Sequence, residues 1–491
     1  MPRCRHCWSG GTLIRITQLT EVDNSHACSG PLRAPVPAIM SHSRRPRIHR
    51  KPLWTGLLWC LSALSAGGAL AAPQELLWVQ HNGTPTTQAV ALVHLLCSAE
   101  VYGLSSADYL DCPRFEPAPS QQAGAQFDAE LTTALVRFLA HVHYGRVDPR
   151  QAGFDLALDR PALHYDRLLT ELSGAGDVGA VIARLEPPFQ HYKLLKRALA
   201  RYRQLSSGQA VPTHTELLNA PYERRIRQIE LTLERWRWLP EFKTPPIIVN
   251  IPQFRLFAFR STRDLKAEIV QMDVIVGRTF PKLRTPVFAA DLKYVVFRPY
   301  WDVPYSIVQK EMLPELRRKP DFWKKQHLEL VNGPGDAAPV VPFTPAALDQ
   351  LAAGRLRLRQ QPGADNSLGL IKFMLPNPYN VYLHSTPAHR LFSQARRAFS
   401  HGCIRVSDPV ALADYALRNA AESWTPESIT AAMNGTDTFR VNLKTPIRVL
   451  ILYGTALATE DGGILFFDDI YGHDRRLSEL LGDQRRWSEA R

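Results

Sequence analysis

Between residues 74 and 205 the apolar positions of this chain recur at helical spacing, and from residue 246 onward they alternate. In Ala129–His143, Leu131, Leu135, Phe138, Leu139 and Val142 stand at i, i+4, i+7, i+8 and i+11 and form one apolar face. That spacing predicts a helix with Asp128 as its N-cap and Gly145 as its stop. A polar linker at 206–221 follows, then a helix over Tyr222–Trp238 with the stripe Ile226, Ile229, Leu233 and Trp236. From Pro246, IIVNIPQFRLFAF, EIVQMDVIVG, KYVVFRPYW and VLILYG (449–454) read as strands bounded by Pro and Gly. A long segment from about Val303 to Asn366 interrupts them with helical and loop character; so long an insertion in a sheet domain has a function. The pattern predicts an α+β chain: a helical domain at 74–205, a linker and connecting helix at 206–245, a mainly β domain at 246–455, and a tail at 456–491 that packs back on it.

The first 72 residues read differently. Arg44, Arg45, Arg47, Arg50 and Lys51 precede an apolar run from Leu53 to Leu64, and Ala69-Leu70-Ala71 follows. This order of basic, apolar and small-residue regions is that of an export signal starting at Met40. Cleavage after about Ala71 is the first expectation and an uncleaved membrane anchor the second, and residues 1–39 read as a non-native extension. Bulky Trp59 just before Cys60 argues against a lipoprotein site, and Cys4, Cys7 and Cys28 lack a second pair at metal-ligand spacing. Cys97 and Cys112 form either a disulfide or two isolated thiols, since spacing alone does not decide.

Composition, 45% hydrophobic and 21% charged, is that of an ordinary globular protein. The net charge is +13, but nine Lys/Arg and two Asp/Glu lie in residues 1–71, which leaves +6 beyond them. That surface suits an anionic polymer, and with no clustered basic stripe it does not point to nucleic acid.

The candidate chemistry is concentrated in Tyr382–Val406, YLHSTPAHRLFSQARRAFSHGCIRV. Cys403 is the one cysteine after Cys112. A lone cysteine is most often a small buried hydrophobe. A cysteine flanked by His401, Gly402 and Arg405, with His384 upstream, instead matches an activated thiol, whose pKa a nearby imidazole or guanidinium lowers toward neutrality. Gly402 permits a turn that aims the backbone N–H groups of Gly402 and Cys403 at a developing oxyanion.

His384, fifteen intervening residues, then Ser400-His401-Gly402-Cys403 resembles the signature of the L,D-transpeptidases, the YkuD-type cysteine enzymes of the bacterial cell wall. LERWRWLP (233–240), RTPVF (284–288), PYWDVPYSI (299–307), NSLGLIKFMLPN (366–377) and DIYGHD (469–474) resemble the large, YcbB-like branch of that family, so the likeness spans roughly residues 80–480. FDAELTTALVRFLAHVHYGRVDP resembles that branch's helical scaffold, and the insertion about 303–366 its capping subdomain. Larger relatives carry a peptidoglycan-binding module where this chain has only SSGQAVPTHTELLNAP.

The resemblance implies Cys403 as nucleophile, His401 as general base or imidazolium partner, and Gly402 and Cys403 as oxyanion donors. His384 would orient substrate, Arg405 hold a substrate carboxylate or steady the thiolate, and Ser400 accept the second imidazole N–H. His389 has no counterpart in the motif and reads as a surface residue, and Tyr300 and Trp301 read as core aromatics beside a strand. No cofactor or metal is needed for thioester chemistry.

The implied reaction is acyl transfer from a peptidoglycan stem tetrapeptide to an amine, giving 3→3 cross-links in the periplasm. An outer-membrane lipoprotein is a second possible acceptor, and carbapenems are the implied inhibitors. An L,D-carboxypeptidase and a non-catalytic wall-binding scaffold protein stand as the alternatives.

Overall fold

The computed structural model describes residues 76–112, 121–156, 160–174, 176–259 and 269–482. The expected extension at 1–39 and the signal segment at 40–72 lie outside the described residues.

Helix α1 (Thr87–Leu96) begins where the Thr86 hydroxyl accepts from the Ala89 N–H at 3.1 Å. Helix α2 (Gln121–Tyr144) is longer than its apolar stripe suggests. Asp128 is therefore no cap: it lies inside the helix, and its carboxylate accepts from the backbone N–H of Trp78 at 2.7 Å. The helix stops at Gly145, whose φ of 85° is left-handed. With α3 (Tyr165–Ser173) and α4 (Val178–Leu185) it encloses a core around Trp78, Leu92, Leu131, Phe138 and Ile182. Cys97 and Cys112 are joined as a disulfide with Cα atoms 5.7 Å apart, which settles the choice that spacing left open.

Helix α5 (Gln190–Ser206) packs along α7 (Tyr222–Arg237), and the intervening polar stretch contains one turn of helix, α6 (His214–Leu217), with a Thr213/Glu216 capping box. More than the expected apolar stripe of α7 is covered. Arg227, Glu230, Glu234, Arg235 and Arg237 are buried with it. The charges are matched locally: Glu234 accepts from the backbone N–H groups of Arg146 and Val147, just beyond α2, and from Arg237 at 3.0 Å.

The β domain is a sheet closed on itself. Strands β1 (Ile247–Asn250), β2 (Arg255–Phe259), β3 (Ile269–Gly277) and β4 (Phe288–Phe297) begin it. The insertion contributes β5 (Trp301–Asp302), β6 (Leu328–Val331), β7 (Val340–Val341) and β8 (Arg357–Gln360), paired in the order β5-β8-β6-β7. It also holds α8 (Tyr305–Ile307), α9 (Leu313–Arg318), α10 (Phe322–Lys325) and α11 (Pro345–Ala352), around a core of its own that includes Ile307, Leu330 and Leu351. The insertion thus carries a small sheet as well as the expected helices and loops, built from strands too short to show a period of two.

The main sheet resumes with β9 (Ile371–Met374), β10 (Leu383–His384), β11 (Ala398–Ser400), β12 (Ile404–Val406) and β13 (Phe439–Leu452). Its order is β11-β3-β12-β10-β9-β4-β13-β1-β2, and β2 pairs again with β3 to close the ring. Val249, Leu256, Val274, Phe373, Leu383, Ile404 and Ile451 fill the core. Helices α12 (Pro409–Leu417) and α13 (Pro426–Asn434) precede β13 and pack on that core.

The tail was expected on the β domain alone, yet it also reaches the helices. The hairpin β14 (Ala456–Ala458)–β15 (Ile464–Phe466) buries Ala456, Ala458 and Ile464 against Tyr192, Leu195 and Ile229 of α5 and α7. Helix α14 (His473–Leu480) presents Asp474, fully buried, to Arg235 of α7 at 2.6 Å, and Thr455 donates to the same carboxylate at 2.6 Å.

Removing one partner of a buried ion pair leaves the other uncompensated, at a cost of about 3–5 kcal/mol. Asp474→Ala is expected to lose stability of that order in urea unfolding. Asp349→Ala, which breaks an exposed pair with Arg317, should leave the midpoint unmoved.

Candidate active site

The three residues His401–Cys403 turn between β11 and β12. Gly402, at φ 120°, makes the turn, and the surrounding framework pins it. The Thr285 hydroxyl donates to the Gly402 carbonyl at 2.8 Å and accepts from the Gly277 N–H at 2.8 Å. The Tyr471 hydroxyl donates to the Gly277 carbonyl at 2.6 Å and accepts from the Thr285 N–H at 3.3 Å. A Cβ on Gly277 would stand 2.1 Å from the Leu283 carbonyl oxygen, so only glycine fits there. Thr285 and Tyr471 were visible in the sequence only as parts of RTPVF and DIYGHD. Both hold the turn that carries Cys403.

Two expected roles change. The Gly402 N–H donates to Ser400 Oγ at 3.1 Å, so Gly402 shapes the loop and has no free donor for an oxyanion. Ser400 Oγ in turn donates to the Cys403 carbonyl at 2.5 Å, and the Ser400 carbonyl accepts from the Arg278 N–H at 3.0 Å. Ser400 is thus occupied by backbone and accepts no imidazole proton. The Cys403 N–H has no hydrogen-bond acceptor among the described residues and remains available.

The Cys403 residue is partly open to solvent while its sulfur is surrounded mostly by protein. Burial pushes the thiol up from its ordinary 9.0. Hydrogen bonds from the Tyr382 backbone and hydroxyl, and the charges of Lys372 and Arg405, pull it back without overcoming the desolvation. A thiol lowered to neutrality in the resting site, as the motif suggests, is therefore not what forms. The sulfur instead contacts the Asn380 carbonyl oxygen at 3.7 Å.

Tyr382 was quoted in the sequence only as the first residue of the stretch, and it is the thiol's main polar partner. Its hydroxyl faces Cys403 and the indole of Trp301 at the base of the insertion. Trp301 is thus tied to the site, whereas Tyr300 lies under the guanidinium of Arg359, 4.2 Å from its ring centre. Arg405 is half-buried, its Nε has no hydrogen-bond partner, and it forms no ion pair among the described residues.

Neither histidine of the motif is hydrogen-bonded to the sulfur. His384 is buried beside β12 and β9, and its Nδ1 lies 2.6 Å from the Ser385 carbonyl oxygen. Burial first, then Arg405 and Lys372, hold its pKa down at about 3, so the ring is neutral. The ring is sealed in this wall. The His401 Nε2 meets the carboxylate of Glu311, a residue of the insertion, at 2.6 Å, and no hydrogen bond joins its ring to Cys403. His389 sits in an exposed short helical turn, Ala388 and Leu391 being its neighbours, away from this cluster. Among the described residues no group of three or more His, Cys, Asp or Glu side chains is placed to share a metal ion.

Residues 245–449 match the YkuD family, described as the L,D-transpeptidase catalytic domain, and residues 72–199 match the Scaffold domain. A curated relative from Haemophilus influenzae, named "Putative L,D-transpeptidase", is 30% identical over 252 residues, 51% of this chain and 49% of that protein. The chain therefore aligns with about half the length of that relative.

Because the thiol is protonated at rest, alkylation of Cys403 by iodoacetamide should accelerate about tenfold per pH unit between roughly pH 7 and pH 9, as the thiolate fraction grows. A rate that levels off below about pH 8 would contradict the desolvated setting described here.

Proposed function

Given that the chain carries an L,D-transpeptidase catalytic domain behind a Scaffold domain, we propose that Cys403 transfers acyl groups between peptidoglycan stem peptides. The carrying observation is one partly accessible sulfur set against Tyr382 and two cations, Lys372 and Arg405, that form no ion pair among the described residues. Such a setting favours a negative charge arriving on sulfur or on a bound carboxylate.

In the proposed first step the Cys403 sulfur attacks the carbonyl carbon between the L-centre of the third stem residue and the terminal D-alanine. The S–C bond forms, the C–N bond breaks, and the amine of D-alanine takes a proton as it leaves. In the second step an acceptor amine attacks the thioester, the C–S bond breaks, and the thiol is regenerated. With diaminopimelate as acceptor the product is a 3→3 cross-link; an amine of an outer-membrane lipoprotein would give an anchored protein, and water a trimmed stem.

His401 is the group we assign to the thiol proton. With Nε2 held by Glu311, its Nδ1 is the face left for the sulfur, and a carboxylate–imidazole pair is the arrangement that supports a base. This requires the sulfur to leave the Asn380 carbonyl and turn toward the ring. The Cys403 N–H and the Tyr382 hydroxyl are the donors nearest the oxyanion that would form. Arg405 is the candidate for a substrate carboxylate.

The Cys97–Cys112 disulfide supports an exported protein, since such bonds persist in oxidising compartments. With the basic and apolar segments after Met40 it favours the periplasm.

The test uses a purified disaccharide-tetrapeptide donor, with wild type compared against Cys403→Ala. Wild type should release D-alanine and form dimers of cross-linked mass, and the variant should do neither. A carbapenem should leave one covalent adduct, on Cys403. D-alanine release that survives Cys403→Ala would overturn the assignment, and release without dimers would make the enzyme a carboxypeptidase.

A further inference from the structure

Three neighbouring strands align one basic residue each. Lys372 on β9 pairs with His384 on β10, and His384 pairs with Arg405 on β12. Paired residues project from the same face of a sheet, and their immediate neighbours project from the other. Those neighbours, Phe373, Leu383 and Ile404, are all buried in the barrel core. The row Lys372–His384–Arg405 therefore stands on the face away from that core. Arg405 is the motif's own cation; Lys372 lies outside the motif, in a segment of β9 that the motif does not explain.

Its placement is specific. The Lys372 ammonium sits 4.0 Å from the centre of the Tyr382 ring, and the hydroxyl of that ring hydrogen-bonds the Cys403 sulfur. A cation on the face of a phenol draws electron density from the ring and makes its O–H a stronger donor. Lys372 is mostly buried, and no carboxylate lies within ion-pair distance among the described residues. The charges that act on it are Cys403 and the more distant Asp302 and Asp336 of the insertion. The groups acting on the sulfur itself are Tyr382, Lys372 and Arg405; Arg405 is also repelled by Arg278, and His384, neutral, adds no charge.

Burying a lysine without a carboxylate is unfavourable unless another anion completes the site. We propose that Lys372 is a positioning residue for the reaction: through the Tyr382 ring and through space, its ammonium stabilises the thiolate of Cys403 against the desolvation of its pocket. Arg405 and Lys372 act on the sulfur from two strands of the same sheet. The inference rests on Cys403 being the nucleophile proposed above.

The experiment measures the pH dependence of Cys403 alkylation by iodoacetamide, a neutral reagent, in the full chain and its variants. Lys372→Met and Lys372→Gln both remove the charge, and Lys372→Arg keeps it. The two neutral variants should shift the alkylation midpoint up by roughly one pH unit, the lower end of what one nearby opposite charge produces, and so react about tenfold more slowly near pH 7.5. Lys372→Arg should stay within about threefold of wild type. Tyr382→Phe, which cuts the hydrogen bond and leaves the lysine in place, should shift the midpoint the same way. D-alanine release by the neutral variants should fall in kcat with the same change in pH profile while KM holds.

An unshifted midpoint in either neutral variant that melts cooperatively like wild type overturns the proposal. A change confined to KM also overturns it, since Lys372 would then be a substrate contact. If neither neutral variant folds, an unshifted midpoint in Tyr382→Phe overturns it. The alkylation readout does not need turnover, so it stays informative even if Cys403→Ala leaves D-alanine release intact and the proposed function fails.

Discussion

Helix α7 is buried on nearly every side although it is rich in charge, and the molecule is built around satisfying that helix. Ten of its sixteen residues are buried, and five of those carry charge. Uncompensated, such charges would each cost several kcal/mol. The rest of the chain supplies their partners: backbone N–H groups just past α2 for Glu234, Arg203 of α5 for Glu230, Asp474 of α14 for Arg235, and the Tyr102 carbonyl and Tyr192 hydroxyl for Arg237. An apolar interface tolerates small slips, whereas these charges tolerate very little. The first helices, the connecting helix and the C-terminal tail are thereby held in one register.

That register reaches the reactive turn by few steps. Helix α14, fixed through Asp474, directly follows Tyr471, whose hydroxyl is bonded to Gly277 and Thr285. Thr285 then holds the Gly402 carbonyl. The charge network and the turn that carries Cys403 are thus linked through hydrogen bonds between buried groups, which lose little to solvent competition. The chemistry at the turn is a contest between two physical terms. Desolvation favours the neutral thiol, while Lys372, Arg405 and the Tyr382 hydroxyl favour the anion. At rest the first term prevails, so the Cys403 thiol sits above its ordinary value.

Much of this was legible in the sequence, for identifiable reasons. The alternating runs at 247–259, 269–277 and 288–297 became strands because their inward positions fill one closed core. The α2 stripe became a helix, and Gly145 ended it. Asp128 was misread because a local rule for caps does not see a partner fifty residues away in Trp78. The roles of Gly402 and Ser400 were misread because a motif specifies residue types and leaves open which donor meets which acceptor. Tyr382 and Lys372 lay inside Tyr382–Val406 and NSLGLIKFMLPN with nothing local to mark a role. An aromatic and a lysine on strands are unremarkable until register sets them beside one sulfur. The burial of α7 was hidden for the opposite reason: charge in a helix normally reports solvent.

The insertion is part of the reactive constellation and more than a cover over it. Trp301, on its first strand, faces the hydroxyl that faces Cys403. Glu311, ten residues on, holds the His401 ring at 2.6 Å. One contact governs the donor on the thiol and the other the imidazole assigned to its proton. A displacement of the insertion would therefore change both at once, loosening Tyr382 and releasing His401. The insertion has its own core around Leu330 and Leu351. The same segment therefore faces both of the groups that address the sulfur, the Tyr382 hydroxyl through Trp301 and the His401 ring through Glu311.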